Sequence, residues 1–152
     1  MSQPQTTRPT SMALRDVRGY LFDVDGTLAL ADRHLSGYRL LPGARELLAL
    51  LRERGVPCVV FTNGTTKTPL QLSQALAAVG IEVDEKHTLT PVSVAIDHFG
   101  KRGYRRILVL GVEGVWRPLV EAGFEVVRSP DRADDADAVL IGWHPNFGLA
   151  DV

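Results

Sequence analysis

An apolar segment that ends in two closely spaced carboxylates places the strongest constraint on the fold of this chain. Residues 20–24 have the composition of a short buried strand, and they carry Asp23, which is followed by Asp25 and then Gly26. Because alternate side chains of a strand point to the same side, Asp23 and Asp25 share one side. Gly26 allows a sharp turn where a side chain would obstruct the backbone. The pattern predicts a strand that presents both carboxylates to a ligand beyond its carboxyl end.

Two carboxylates in this arrangement suit phosphoryl transfer. We interpret Asp23 as a nucleophile, because a carboxylate that attacks phosphorus forms an aspartyl-phosphate and divides one difficult displacement into two easier steps. Asp25 is placed to protonate the leaving oxygen and later to activate water, as a general acid and base. An anion that approaches a phosphate needs a cation between them, and hard oxygen ligands favour Mg²⁺ held by Asp23 and Asp25. The pair alone would also suit a calcium loop or a surface turn.

A second group of polar residues follows another apolar segment. Residues 57–62 predict a strand, and Thr62 at its end is followed by Asn63 and Gly64. A hydroxyl and exposed backbone N–H groups can bind phosphate oxygens without adding a competing anion. The alternative is a plain strand-to-helix turn in which Thr62 and Asn63 act as local caps. The position of this segment after the Asp pair favours a shared site at the carboxyl edge of a parallel sheet.

The rest of the chain alternates between strand and helix patterns, which is typical of parallel βαβ units. Strands are predicted at about residues 19–24, 57–62, 106–111, 125–127 and 138–142, and helices at about residues 42–55, 69–79, 91–99 and 114–121. In the first helix we expect an apolar stripe formed by Leu47, Leu48, Leu50 and Leu51. The predicted fold class is α/β, with a Rossmann-like parallel sheet and helices on both faces.

The two motifs resemble those of the haloacid dehalogenase-like (HAD) hydrolases, in which one strand ends in Asp-x-Asp-Gly-Thr and another is closed by Thr or Ser. Residues 41–48, 51–57 and 61–69 are similar to the cap-insertion branch, subfamily IIA, which includes NagD, pyridoxal phosphatase and phosphoglycolate phosphatase. The resemblance implies a Mg²⁺-dependent phosphatase that acts on a small phosphorylated metabolite. Sugar phosphates, nucleotides, pyridoxal phosphate and phosphoglycolate all remain open as substrates. The residues to which it assigns roles are Asp23 as nucleophile, Asp25 as general acid and base, and Thr62, Asn63 and Gly64 at the phosphate.

The resemblance also implies a domain organisation. Residues 18–142 correspond to an incomplete HAD-like core, residues 1–17 to a flexible tail, and residues 143–152 to the start of a linker to a cap domain that is absent. The lysine of the family's third motif and the acids of its fourth would follow that cap and have no counterpart here. Lys67, five residues after Thr62, could substitute for that lysine as a cation, but we interpret it as a solvated residue at a helix start. We interpret the acidic cluster as solvated loop residues, which are Asp131, Asp134, Asp135 and Asp137.

Composition agrees with one globular domain and leaves two functional classes open. Seventeen basic and eighteen acidic residues give a net charge of −1, so no overall field favours nucleic acid or an anionic membrane as a partner. The single cysteine, Cys58, is compatible with the reducing cytoplasm. The first hypothesis is the phosphatase. The alternative is a catalytically incomplete fragment or split half that acts as a binding or interaction module, either as a homodimer or with a complementing C-terminal half.

Overall fold

The computed structural model describes residues 17–34, 37–128, 131 and 133–146. The predicted flexible tail, apart from Val17, lies outside the described residues, as does the predicted linker beyond residue 146. A short 3₁₀ turn spans Glu85–His87. The other elements, in chain order, are β1 Tyr20–Asp23, β2 Ala29–Ala31, β3 Tyr38–Leu40, α1 Ala44–Glu53, β4 Cys58–Phe61, α2 Pro69–Ala77, β5 Thr88–Leu89, α3 Pro91–Arg102, β6 Arg106–Leu110, α4 Glu113–Glu121, β7 Glu125–Arg128 and β8 Ala138–Ile141.

Every predicted strand and helix is present, with small shifts at the ends. α1 begins at Ala44 and not at Pro42, because Gly43 is its N-cap in a left-handed conformation with φ of 83°. α3 continues to Arg102, where the left-handed Gly103 ends it. The sequence pattern did not predict β2, β3 or the two-residue β5.

The strands form two parallel sheets and one antiparallel hairpin. The first sheet has the order β1-β4-β5 and the second the order β7-β6-β8, while β2 pairs with β3. All pairings within the two sheets are parallel, and the α/β class is confirmed. We expected one continuous sheet, but no described strand of the first sheet pairs with one of the second. β6 instead pairs with the strands that follow it, as consecutive strands commonly do.

Each sheet has its own cluster of buried apolar residues. The first cluster joins Phe22 and Val60 of the first sheet, and Val24 directly after β1, to residues of both α1 and α2, which are Ala44, Leu48, Leu72 and Leu76. The second cluster joins the second sheet to α3 and α4 through Val92, Phe99, Ile107, Val109, Val115 and Leu119. Residues on the opposite strand faces do not belong to either cluster. Among them, Leu21 is 65% exposed and Val139 is 54% exposed.

The apolar stripe predicted for α1 is only partly buried. Leu51 is buried and Leu48 is half-buried against the first cluster, whereas Leu47 and Leu50 are both exposed. The prediction was therefore wrong for Leu47 and Leu50. Residues three apart lie on one side of a helix, so α1 meets the sheet with the narrow side that carries Leu48 and Leu51.

No helix in the described part of the chain is both long enough and apolar enough to cross a lipid bilayer.

Candidate active site

A tight turn after β1 brings both carboxylates of the first motif to the end of the first sheet. Asp23 is the last residue of β1, and the buried Val24 separates it from Asp25. Gly26 adopts a φ of 83°, a conformation that side-chain-bearing residues rarely take. The carbonyl oxygen of Val24 accepts three backbone N–H groups, those of Thr27, Leu28 and Ala29, at 3.2, 3.0 and 3.0 Å. The turn therefore holds Asp23 and Asp25 on a compact, hydrogen-bonded backbone.

A hydrogen bond orients each of these two carboxylates. Oδ2 of Asp23 accepts from the Thr27 hydroxyl at 3.3 Å. Oδ1 of Asp25 accepts from the backbone N–H of Ala31, in β2, at 2.9 Å. Both aspartates are exposed, so solvent and solutes can reach their carboxylates. The strand end thus offers two accessible sets of hard oxygen atoms.

β4 brings the second motif to the same edge of the sheet. Asp23 pairs in parallel register with Phe61, and adjacent strands lie about 4.8 Å apart. Thr62 follows Phe61 directly, so it leaves the sheet beside the strand end that carries Asp23. The backbone N–H of Thr62 donates to the carbonyl oxygen of Leu89 at 3.1 Å, which ties this strand end to β5. The structure therefore places Asp23, Asp25 and Thr62 at one carboxyl edge.

The loop after Thr62 contains the local turn that the alternative interpretation predicted. Oγ1 of Thr62, a residue only 3% exposed, accepts the backbone N–H of Gly64 at 3.0 Å. The Gly64 N–H is therefore engaged within the loop. The hydroxyl of Thr62 can still donate its own proton, because an oxygen that accepts a hydrogen bond keeps that capacity. Asn63 and Gly64 are exposed at the same edge.

The β2–β3 hairpin adds residues that the sequence pattern did not single out. Burial of Tyr38, in β3, raises the pKa of its phenol to about 12, with smaller contributions from the charges of Asp25 and Asp32. The phenol is therefore neutral at physiological pH. Nζ of Lys67 lies 5.7 Å from the centroid of the Tyr38 ring, a cation–π contact. Lys67 is half-buried beside this hairpin, so its interpretation as a solvated residue leaves out its contact with Tyr38.

Asp137, in the acidic cluster before β8, has a structural role. Asp137 Oδ2 accepts the backbone N–H groups of Arg105 at 2.7 Å and Arg106 at 3.0 Å. These bonds, the one from Arg106 first, lower the pKa of the Asp137 carboxyl. Asp137 thus caps the amino end of β6, the end of that strand opposite to its carboxyl end. Its interpretation as a solvated loop residue was therefore incomplete.

The described residues provide only part of a metal site. Among them, no group of three or more His, Cys, Asp or Glu side chains is close enough to hold a metal ion. Asp23 and Asp25 therefore stand as a pair of acidic oxygen donors. A cavity of about 520 Å³ beside the first cluster is lined by other residues, including Leu48, Arg52, Cys58, Val60 and His87. None of the predicted site residues lines it.

The match to a family model decides the family of this chain. A model described as haloacid dehalogenase-like hydrolase matches residues 20–125. The chain belongs to this family. The match includes both motif-bearing strands, β1 and β4, and the predicted resemblance is confirmed.

Two curated relatives of this chain are named as a nucleotidase and a phosphatase. The 5′-nucleotidase YutF of Bacillus subtilis is 27% identical over 130 residues, which are 85% of this chain and 46% of the relative. An acid sugar phosphatase of Staphylococcus aureus is 26% identical over 122 residues, 80% of this chain and 44% of the relative. The chain thus spans about half the length of the curated relatives it matches, and it corresponds to their amino-terminal part.

The fold also agrees with a solved HAD structure. The structure of NagD from Escherichia coli superposes with a TM-score of 0.72 at 22% identity, over 88% of this chain and 49% of that chain. At this identity the likeness concerns the fold, and it agrees with the predicted α/β architecture.

Proposed function

We propose that this chain provides the nucleophile and the acid–base residue of a Mg²⁺-dependent phosphatase that hydrolyses a small phosphomonoester. The observation that carries the proposal is the register of β1 and β4. It sets Asp23 beside the strand end from which Thr62 leaves the sheet. The family and the names of the relatives support the same reaction class.

In the first step, a carboxylate oxygen of Asp23 attacks the phosphorus atom, and the bond from phosphorus to the ester oxygen breaks. Asp25 gives its proton to the leaving oxygen, which departs as an alcohol. The hydroxyl of Thr62 donates a hydrogen bond to a phosphate oxygen on which negative charge accumulates. Thr27, through its bond to Oδ2, orients the Asp23 carboxylate for attack.

In the second step, Asp25 accepts a proton from water, and the water oxygen attacks the phosphorus atom of the aspartyl-phosphate. The bond between phosphorus and Asp23 breaks, which releases inorganic phosphate and restores the carboxylate. The hydrogen bond from the Ala31 N–H holds Asp25 in place through both steps. Asp25 therefore acts once as an acid and once as a base.

The two aspartates fit Mg²⁺ as part of an oxygen shell, Asp25 while its carboxylate is ionised and Asp23 throughout. Both carboxylates are exposed and have hard oxygen atoms, the donors that this ion prefers. Bound there, Mg²⁺ would neutralise charge between the nucleophile and the phosphate. The described residues add no third acid at this point. The remaining positions would fall to water, to substrate oxygens and to groups beyond the described residues.

Substitution of the nucleophile in the complete protein tests the proposal. Asp23→Asn removes the attacking charge at almost constant size, so we expect the Mg²⁺-dependent hydrolysis of p-nitrophenyl phosphate to fall by roughly a thousandfold or more. Asp134→Asn, at an exposed acid in the segment before β8, is the control and should hydrolyse at the wild-type rate. Normal turnover by the Asp23→Asn protein would disprove the assignment.

A second candidate is a binding or interaction module without turnover of its own. It is favoured because the acids of the described residues make only part of a metal shell. In this case a C-terminal half or a second copy would complete it. The intact mass of the native protein from its source cells distinguishes the two. A mass well above 16.6 kDa favours the phosphatase, and a mass near that value favours a complementing partner.

A further inference from the structure

The second sheet touches the first at the loop that carries the proposed phosphate-binding residues. The backbone N–H of Trp143, just after β8, donates to Oγ1 of Thr65 at 2.9 Å. The carbonyl oxygen of Trp143 in turn accepts the backbone N–H of Val112, the N-cap of α4, at 3.3 Å. Thr65 lies three residues after Thr62. The end of β8 and the start of α4 are thus joined to each other and to this loop.

Gly114, in the first turn of α4, makes the contact a direct one between backbones. A methyl group at this buried glycine would lie 2.5 Å from the carbonyl oxygen of Thr65 and 2.6 Å from the backbone nitrogen of Lys67. Neither atom can move away without moving the loop itself. The glycine at 114 is therefore required for the amino end of α4 to rest on residues 65–67.

A second glycine allows the same approach from β8. A methyl group at Gly142 would overlap the side chain of Val115 and lie 3.4 Å from Oγ1 of Thr65. The Gly142 N–H donates to the carbonyl oxygen of Leu110 at 2.8 Å, so this glycine is itself held on the second sheet. The middle of the loop thus meets two glycines, Gly114 in the first turn of α4 and Gly142 directly after β8.

The two ends of the loop are held independently of the second sheet. At its start, the Thr62 N–H is bonded to Leu89. At its end, Thr68 begins α2 with a capping box, in which its side chain accepts from the Gln71 N–H at 3.1 Å and its N–H donates to the Gln71 side chain at 2.9 Å. The exposed Asn63 and Gly64 lie between the held start and the contacted middle.

We propose that the amino end of α4 and the exit of β8 position the phosphate-binding loop, with Gly114 and Thr65 as the positioning residues. The inference rests on the proposed function only for what the loop binds. With the contact in place, Asn63 and Gly64 are confined between two fixed points. Without it, the loop samples other conformations, and the arrangement in which Asn63 and Gly64 lie beside Thr62 at a phosphate is populated for less of the time. A ligand then binds with lower apparent affinity.

Two substitutions remove the contact in different ways. Gly114→Ala pushes α4 and the loop apart. Thr65→Val keeps the size of the side chain but removes the acceptor for the Trp143 N–H, and Thr65→Ser restores it. The amide NMR signals of Asn63 and Gly64 in the isotopically labelled chain report the loop directly, and a titration with inorganic phosphate and Mg²⁺ reports binding. We expect Gly114→Ala and Thr65→Val to shift both signals and to weaken phosphate binding by about tenfold, whereas Thr65→Ser stays within roughly twofold of wild type.

Two control variants separate positioning from general stability. Gly100→Ala adds a methyl group to α3 where no atom lies within 4 Å, and it should leave both readouts unchanged. Leu119→Ala destabilises the second cluster without touching the loop, so it should lower the melting temperature and leave the Asn63 and Gly64 signals in place.

Each result of these measurements either supports or overturns the positioning role of Gly114 and Thr65. Unchanged loop signals in folded Gly114→Ala and Thr65→Val proteins would overturn the proposal, as would loop signals in Leu119→Ala that shift as far as those of Gly114→Ala. If the wild-type chain binds no phosphate, the loop's role in the proposed function fails. The loop signals then decide the positioning role alone.

Discussion

The two sheets are built alike but differ at their carboxyl ends. Each has three parallel strands and one apolar cluster that includes residues of two helices. At the ends of β1 and β4 the chain places Asp23 and Thr62, whereas β6 and β8 are followed by Gly111 and Gly142. The side chains at the ends of β1 and β4 can react or bind, whereas Gly111 and Gly142 leave room for the side chain of Val115 to pack closely. The same architecture therefore carries the proposed catalytic residues in the first sheet and packing contacts in the second. The function depends on the residues at the strand ends and not on the fold.

The largest expected effect tests whether the two clusters are energetically separate. Leu76 of α2 and Leu119 of α4 are both fully buried, one in each cluster. Leu76→Ala and Leu119→Ala should each cost roughly 2–5 kcal/mol, from lost apolar burial and from the cavity left behind. Hydrogen exchange should show the loss mainly in β4 for Leu76→Ala and mainly in β6 for Leu119→Ala.

The control for this pair is Leu70→Ala, at a residue of α2 that is 46% exposed. It should change the free energy of unfolding by no more than about 0.5 kcal/mol. If either buried leucine variant lowers the protection from hydrogen exchange equally in both sheets, the two sheets unfold as one unit and are not energetically separate.

The carboxyl-end residues could be predicted from the sequence because their signals are local. An apolar run followed by Asp, Thr or Gly indicates a strand end, whichever strand it pairs with, so Asp23, Asp25 and Thr62 can be predicted without the pairing of β1 with β4. The register then showed that these strand ends are neighbours. The roles of the three residues stay predictions until the substitutions are measured.

The remaining features depend on contacts between distant parts of the chain. β2, β3 and β5 have only two or three residues each, too few for a periodic pattern. Tyr38 and Lys67 are in contact although 29 residues separate them in sequence, and Gly114 contacts residues 65–67 from nearly 50 residues further along the chain. The division into two sheets is likewise a matter of strand order. Local patterns report which face of an element is apolar, but they do not report which elements meet.

A smaller effect concerns the amino edge of the second sheet. Backbone hydrogen bonds from Arg106 and Arg105 lower the pKa of Asp137 in the folded protein. A lowered pKa means that the ionised carboxylate stabilises the fold above its unfolded pKa of about 3.9, and that this stabilisation is lost as the pH falls through the folded value. Asp137→Asn should therefore lower stability at pH 7 and weaken the acid dependence of urea unfolding.

Asp134→Asn serves as the matched control for this measurement, since it removes an exposed carboxylate from the same segment. The two variants should differ most near neutral pH and converge in acid. If Asp137→Asn instead shows its full loss of stability at a pH below the folded pKa, the negative charge of Asp137 is not what stabilises the amino edge of the second sheet.

The smallest effect uses Cys58 as a reporter of the first sheet. Burial raises the pKa of its thiol, and its Sγ lies 3.4 Å from the carbonyl oxygen of Val56, to which it donates. Because the thiolate is the reactive form, Cys58 should react with a disulfide reagent more slowly than free cysteine at the same pH. The chain has no other cysteine, so the rate of thiol modification reports on the first sheet alone.

The same reaction provides the finest test of the comparison between the sheets. Local opening of the first sheet exposes Cys58, so Leu76→Ala should accelerate the reaction in native buffer. Leu119→Ala should leave the rate close to that of the wild type, because its cavity opens in the other cluster. Equal acceleration by the two variants would mean that loosening the second sheet also opens the first. In that case the contact at Thr65 and Gly114 transmits stability between the sheets as well as positioning the loop.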